Sequence, residues 1–147
     1  MAIIHHLKEH KFVYGKLESV APGIRRLTAR NPSAFTFHGT GTYVIGQGQV
    51  AVIDPGPLDS DHIQALVEGL SAETVTHILV THCHLDHLGS LPLLSREHPD
   101  APVFLCYGSS IIARRMLSNS ISVMRRQRSE LNLQELPLYG RGDLSSL

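Results

Sequence analysis

Thr81-His82-Cys83-His84-Leu85-Asp86-His87-Leu88-Gly89 is the stretch that decides how this chain is read. It follows the apolar run Ile78-Leu79-Val80, so a buried strand ends where the histidines begin. Three imidazoles and a carboxylate are donors that zinc takes when thiolate is absent. Crowded into one short loop without an ion, such groups would repel one another or lose hydration without return. A strand that stops in a tight turn aims all four at one point. Metal ligation is therefore the reading, and a solvated histidine-rich turn is the plain alternative. Cys83, between two of these histidines, reads either as a zinc-binding thiolate or, preferred, as a small apolar residue facing away. Thr81 and Gly89 read as structural, Gly89 letting a following helix approach.

Working outward, Val50-Ala51-Val52-Ile53 is apolar on both faces and predicts a buried strand, broken by Pro55-Gly56-Pro57. Asp59 or Ser60 caps a helix whose Ile63, Leu66, Val67 and Leu70 fall on one face. A second helix is predicted over 89–96, with Pro92 in its first turn, and a strand at Val103-Phe104-Leu105. Upstream, residues 19–30 predict a first strand with a turn at Pro22-Gly23. Phe35, Phe37 and Tyr43-Val44-Ile45 suggest a strand pair bent at Gly39 and Gly41, and Gly46-Gln47-Gly48 a hairpin turn. Strands alternating with helices on short links argue for an α/β layer fold.

At 147 residues, 42% hydrophobic, the chain is one domain by size with enough apolar content for a core. A formal net charge of zero provides no global field toward nucleic acid or membrane. Two cysteines, Cys83 and Cys106, are too few for a disulfide scaffold and fit a reducing cytoplasm. Neither a membrane span nor a signal peptide is read in the chain. Of ten histidines, only His82, His84 and His87 have ligand spacing. His5, His6 and His10 read as solvated; His38, His62, His77 and His98 read as surface or capping residues.

The spacing His82-x-His84-x-Asp86-His87 resembles the signature of the metallo-beta-lactamase superfamily. Val50 to Gly56 looks like that family's early strand with its Asp-x-Gly turn. Asn31-Pro32-Ser33-Ala34-Phe35-Thr36-Phe37 with Gly39-Thr40-Gly41-Thr42-Tyr43 looks like the beta-lactamase-like protein 2 group, which has Asn where this chain has Gly41. The likeness covers residues 19–105. It implies the N-terminal half of an αββα sandwich, with His82 and His84 on one zinc and Asp86 and His87 on a second. The implied function is a zinc-dependent hydrolase using a metal-bound hydroxide, with Asp86 as the catalytic group that orients the nucleophile or accepts its proton. Asp54 reads as a carboxylate behind the ligands, or as a turn cap. Implied substrates are thioesters, lactams or phosphodiesters, so a small molecule or an RNA.

Family members carry a second half that completes the ligand set. Here the last histidine is His98, and the only later aspartates are Asp100 and Asp143. The organisation read is an extension over 1–18, a half-domain over 19–106 and a divergent tail over 107–147. The tail holds eight Ser, seven Leu and six Arg among its 41 residues, a composition that suggests a frameshifted gene end. Its rival reading is a helix with Ala113, Leu117, Ile121 and Met124 on one stripe and Arg114, Arg115, Arg125, Arg126 and Arg128 in solvent. Two further functions stay open: a truncated, inactive form that binds metal weakly, and a nucleic-acid-binding module built on the arginines. A half-domain also leaves one apolar sheet face open, which a homodimer would cover.

Overall fold

The computed structural model describes residues 12–131, with side chains through 126. His5, His6, His10, Pro137, Gly140, Gly142, Asp143 and the side chain of Arg128 lie outside the described residues. One six-stranded sheet runs in chain order: β1 Glu18–Ala21, β2 Ile24–Thr28, β3 Gly41–Gln47, β4 Gln49–Ile53, β5 Thr74–Val80 and β6 Val103–Leu105. The first four form an antiparallel meander, and β5 and β6 then add in parallel. Helix α1 (Ser60–Leu70) makes the first crossover; α2 (Leu85–Leu88) and α3 (Leu91–Glu97) make the second, and α4 (Tyr107–Leu131) follows β6.

Local chemistry sets most boundaries. Gly23 (φ +69°) and Gly48 (φ +71°) take the left-handed conformation that the two hairpin turns require. Asp59 caps α1 by accepting from the His62 amide at 2.9 Å. Pro92 sits in the first turn of α3, where no amide is needed.

All three long helices pack on one side of the sheet. Val44, Val52 and Ile78 point there and are fully buried, against Leu66 and Leu70 of α1, Leu91 and Leu94 of α3, and Ala113, Leu117 and Ile121 of α4. Met124 packs at the margin of this core, while Arg114, Arg115, Arg125 and Arg126 are exposed. Residues beyond 106 thus share the core of those before it.

Several expectations are corrected. Phe35 and Phe37 are not in a strand: residues 34–38 form a turn, and the two rings are 99% and 69% exposed. Ser33 Oγ accepts from the Phe35 and Thr36 amides, and Thr36 Oγ1 donates to the Asn31 carbonyl at 2.5 Å. These side chains satisfy the local backbone and remove its need for a sheet partner. The second helix starts at Leu85, earlier than predicted, and breaks at Gly89–Ser90 before α3. β5 and β6 are buried on one face only; Leu79 and Phe104 are 36% and 51% exposed. His62 is no surface residue but 4% exposed, its Nε2 lying 3.0 Å from Thr42 Oγ1 and 3.1 Å from the Pro55 carbonyl.

Candidate metal centre

The side chains of His82, His84, Asp86 and His87 meet Asp54 at one end of the sheet. β4 and β5 are parallel, so their carboxyl ends lie side by side, and antiparallel β3 begins at the same end. Open parallel sheets place their sites there, because the chain must leave each strand through a loop at that edge. Asp54 follows β4, His82 and His84 follow β5, and Asp86 and His87 lie in α2.

Asp54 organises the loop. It holds φ +52° and is 5% exposed, one of two non-glycine residues at positive φ among the described residues. That conformation is costly for most side chains and tolerated by Asp. In return its carboxylate accepts from the Thr81 amide at 2.8 Å and the Thr81 hydroxyl at 2.7 Å, and lies 2.9 Å from His87 Nδ1. Asp54 therefore fixes both the strand end and the ring of His87. Gly56 (φ +95°) is pinned to the same loop: its amide donates to the His87 carbonyl at 3.0 Å, and its carbonyl accepts from the Ser90 amide at 3.0 Å.

The remaining groups crowd together. His82 Nε2 lies 3.2 Å from His84 Nδ1, the His82 and His87 ring centroids are 4.0 Å apart, and His87 Nε2 lies 3.4 Å from Asp86 Oδ2. Burial, then the neighbouring His87 and His84, lowers the pKa of His82, which keeps its imidazole neutral. Burial pushes the Asp86 carboxyl up, but the Thr40 hydrogen bond and the adjacent His87 outweigh it, so the net shift is downward. A neutral imidazole and an ionised carboxylate are the forms that ligate a metal. Imidazole nitrogens and a carboxylate oxygen thus face one another at 3.2 and 3.4 Å. The donor chemistry therefore fits zinc. The number does not: among the described residues no group of three or more His, Cys, Asp or Glu is placed as a complete metal-holding set.

Cys83 turns inward against the core. His98 ends α3 beside Thr74, at the opposite end of β5 from the histidine loop, so it adds nothing to the site. Thr40 and Asn31 were missed as site residues. Thr40 Oγ1 donates to Asp86 Oδ2 at 2.6 Å, and Asn31 Oδ1 accepts from the Thr40 amide at 2.9 Å. The available signal was a polar residue between Gly39 and Gly41 just before a strand. Gly41 itself faces the other way. A Cβ there would lie 3.2 Å from the Tyr43 ring and 3.3 Å from Arg26, on the open side of the sheet. A cleft of about 690 Å³ opens over the cluster, lined by Ser33, Phe35, Thr36, His82, His84, Asp86 and His87.

These features define an α/β protein with a histidine–aspartate centre at the carboxyl ends of its parallel strands. Residues 36–105 match the model of the metallo-beta-lactamase superfamily, and this part of the chain is similar to that superfamily. It is 40% identical over 87 residues to an atrochrysone carboxyl ACP thioesterase of Passalora fulva, covering 57% of this chain and 26% of that protein. It is 34% identical over 88 residues to the lactamase-like protein adaB of Aspergillus niger, covering 58% and 28%. The chain thus spans about a quarter of the length of the curated relatives it matches. Among solved structures, a beta-lactamase domain protein from Burkholderia ambifaria superposes with a TM-score of 0.60 at 21% identity, over 80% of this chain and 40% of that one. The FIM-1 metallo-beta-lactamase of Pseudomonas aeruginosa in its mono-zinc form gives 0.56 at 13%, over 68% and 45%. At these identities the structures speak for the fold.

Proposed function

We propose that this chain carries the N-terminal half of a zinc-dependent hydrolase centre, and that its substrate is a thioester. The observation behind the reading is the gathering of His82, His84, Asp86 and His87 at one sheet end with Asp54 behind them. The relative from Passalora fulva, an atrochrysone carboxyl ACP thioesterase, supports the choice of substrate class. His82 and His84 would hold one ion, and Asp86 with His87 a second. When bound, zinc supplies Lewis acidity and brings the pKa of a coordinated water toward about 7. The chain's own residues do the rest. Asp54 holds the Nδ1 edge of His87, which leaves Nε2 as the donor edge. Asp86 would orient an attacking water or take its proton. The cleft wall at Phe35 offers an apolar surface to an acyl chain.

A second reading has its own support: no described set is complete, and relatives are far longer. On that reading the chain alone binds zinc weakly and hydrolyses nothing. Elemental analysis after a mild chelator wash separates the two. The first predicts roughly one zinc or more per chain and chelator-sensitive thioester hydrolysis abolished in His84→Ala. Below roughly a tenth of a zinc per chain, the second holds. Activity that persists in His84→Ala would belong to a contaminant.

A further inference from the structure

We propose that Thr40, gripped by Asn31, is a positioning residue that sets the orientation of the Asp86 carboxylate. The inference rests on the reading of Asp86 as a zinc ligand, but its geometry stands apart from any ion. Asp86 sits on a four-residue helix that has no side-chain cap hydrogen bond. Such a short element holds a side chain poorly by itself. The restraint comes from a part of the chain 46 residues earlier: Thr40 Oγ1 donates to Asp86 Oδ2 at 2.6 Å.

The direction of that bond is over-determined. Asn31 Nδ2 donates to Thr40 Oγ1 at 3.2 Å, so the hydroxyl oxygen is already an acceptor and its own proton goes to Asp86. Asn31 Oδ1 accepts from the Thr40 amide at 2.9 Å, and the Ala29 amide donates to the Thr40 carbonyl at 2.8 Å. Thr36 in turn holds the Asn31 carbonyl. Backbone and hydroxyl of Thr40 are thus fixed from two sides, at 5% exposure. Gly39 makes the placement feasible: at φ +129° it passes so close to Ala29 that a Cβ would lie 1.9 Å from its carbonyl oxygen. The chain Thr36–Asn31–Thr40–Asp86 carries the rigidity of the sheet entry into the ligand.

The test uses the full chain, isotope-labelled and metal-free, with the Asp86 χ1 angle read from three-bond couplings by NMR. Wild type and Thr40→Ser show one rotamer, because serine keeps the hydroxyl. Thr40→Val shows rotamer averaging. Asn31→Ala, which leaves Thr40 intact, shows averaging as well and serves should the valine variant fold poorly. A zinc titration adds the functional readout: affinity falls by roughly 10–100-fold in Thr40→Val and is retained in Thr40→Ser. A single Asp86 rotamer in both Thr40→Val and Asn31→Ala, or averaging already in wild type, overturns the proposal. Failure of wild type to bind zinc overturns the hydrolase reading, while the rotamer result still decides the role of Thr40.

Discussion

Asp54 and His62 show how much a single buried polar residue settles here. Asp54 accepts a strained backbone and repays it with three partners on the histidine loop. Asp54→Ala is expected to cost about 2–4 kcal/mol by urea unfolding, from the orphaned donors and the positive φ. Asp54→Asn should cost less, because Asn tolerates that conformation and keeps an acceptor oxygen; equal losses would refute the account. His62 titrates unusually. Burial lowers its pKa, against smaller raising effects of the Pro55 carbonyl and the Asp59 charge. The unfolded chain, with a histidine pKa of about 6.5, then binds the proton more readily than the folded one. Stability is therefore complete above about pH 6.5 and is lost as pH falls from there toward the lower folded value. Between pH 8 and pH 5 the wild type should weaken more than His62→Gln in urea midpoint, and parallel profiles would exclude the effect. Sequence alone ranks neither residue: Asp54 reads either as a carboxylate behind the ligands or as a turn cap, and His62 as a surface or capping group. Only the neighbours brought by the fold distinguish these roles.

At the scale of elements, periodicity was sufficient where one face is buried. The α1 stripe and strands β4, β5 and β6 lie within a few residues of where apolar pattern puts them. It was insufficient at 31–40, where Asn31, Ser33 and Thr36 replace sheet hydrogen bonds with their own. It also missed the break between α2 and α3, which serves close contact. A Cβ on Gly89 would lie 2.6 Å from the Leu58 amide nitrogen, so that glycine admits the 57–58 backbone. The opening of the tail is a helix whose Leu117 and Ile121 are 1% exposed. Leu117→Ala is expected to cost about 2–4 kcal/mol of stability, while exposed Arg115→Ala changes it by less than about 0.5. Chemical denaturation of both variants checks this; a silent Leu117→Ala would mean that α4 adds nothing to the core.

On the scale of the whole molecule, the helices cover one sheet face and leave the other bare. A cross-strand row of Arg26, Tyr43, Ile53, Leu79 and Phe104 crosses five strands on that bare side, with His77 stacked on Phe104 at 5.6 Å between ring centroids. Such a patch binds apolar dyes. Folded wild type is expected to enhance the fluorescence of an anilinonaphthalene sulfonate, and Leu79→Ser with Phe104→Ser should cut the signal by more than half; an unchanged signal would place the dye elsewhere. The open side was legible as a consequence of having half a layered domain, whereas the row's composition needed the register. Among the described residues no helix is long and apolar enough to cross a membrane. From its order of residues alone this chain determines its α/β class, its strand–helix alternation and the four side chains of the histidine loop. These depend on local spacing and on which residues shun water, and both are written along the chain. The tertiary structure decides that Asp54 braces His87, that Thr40 and Asn31 brace Asp86, and that His62 is buried. Those contacts join residues 9 to 46 positions apart, and only strand pairing brings them within hydrogen-bond distance.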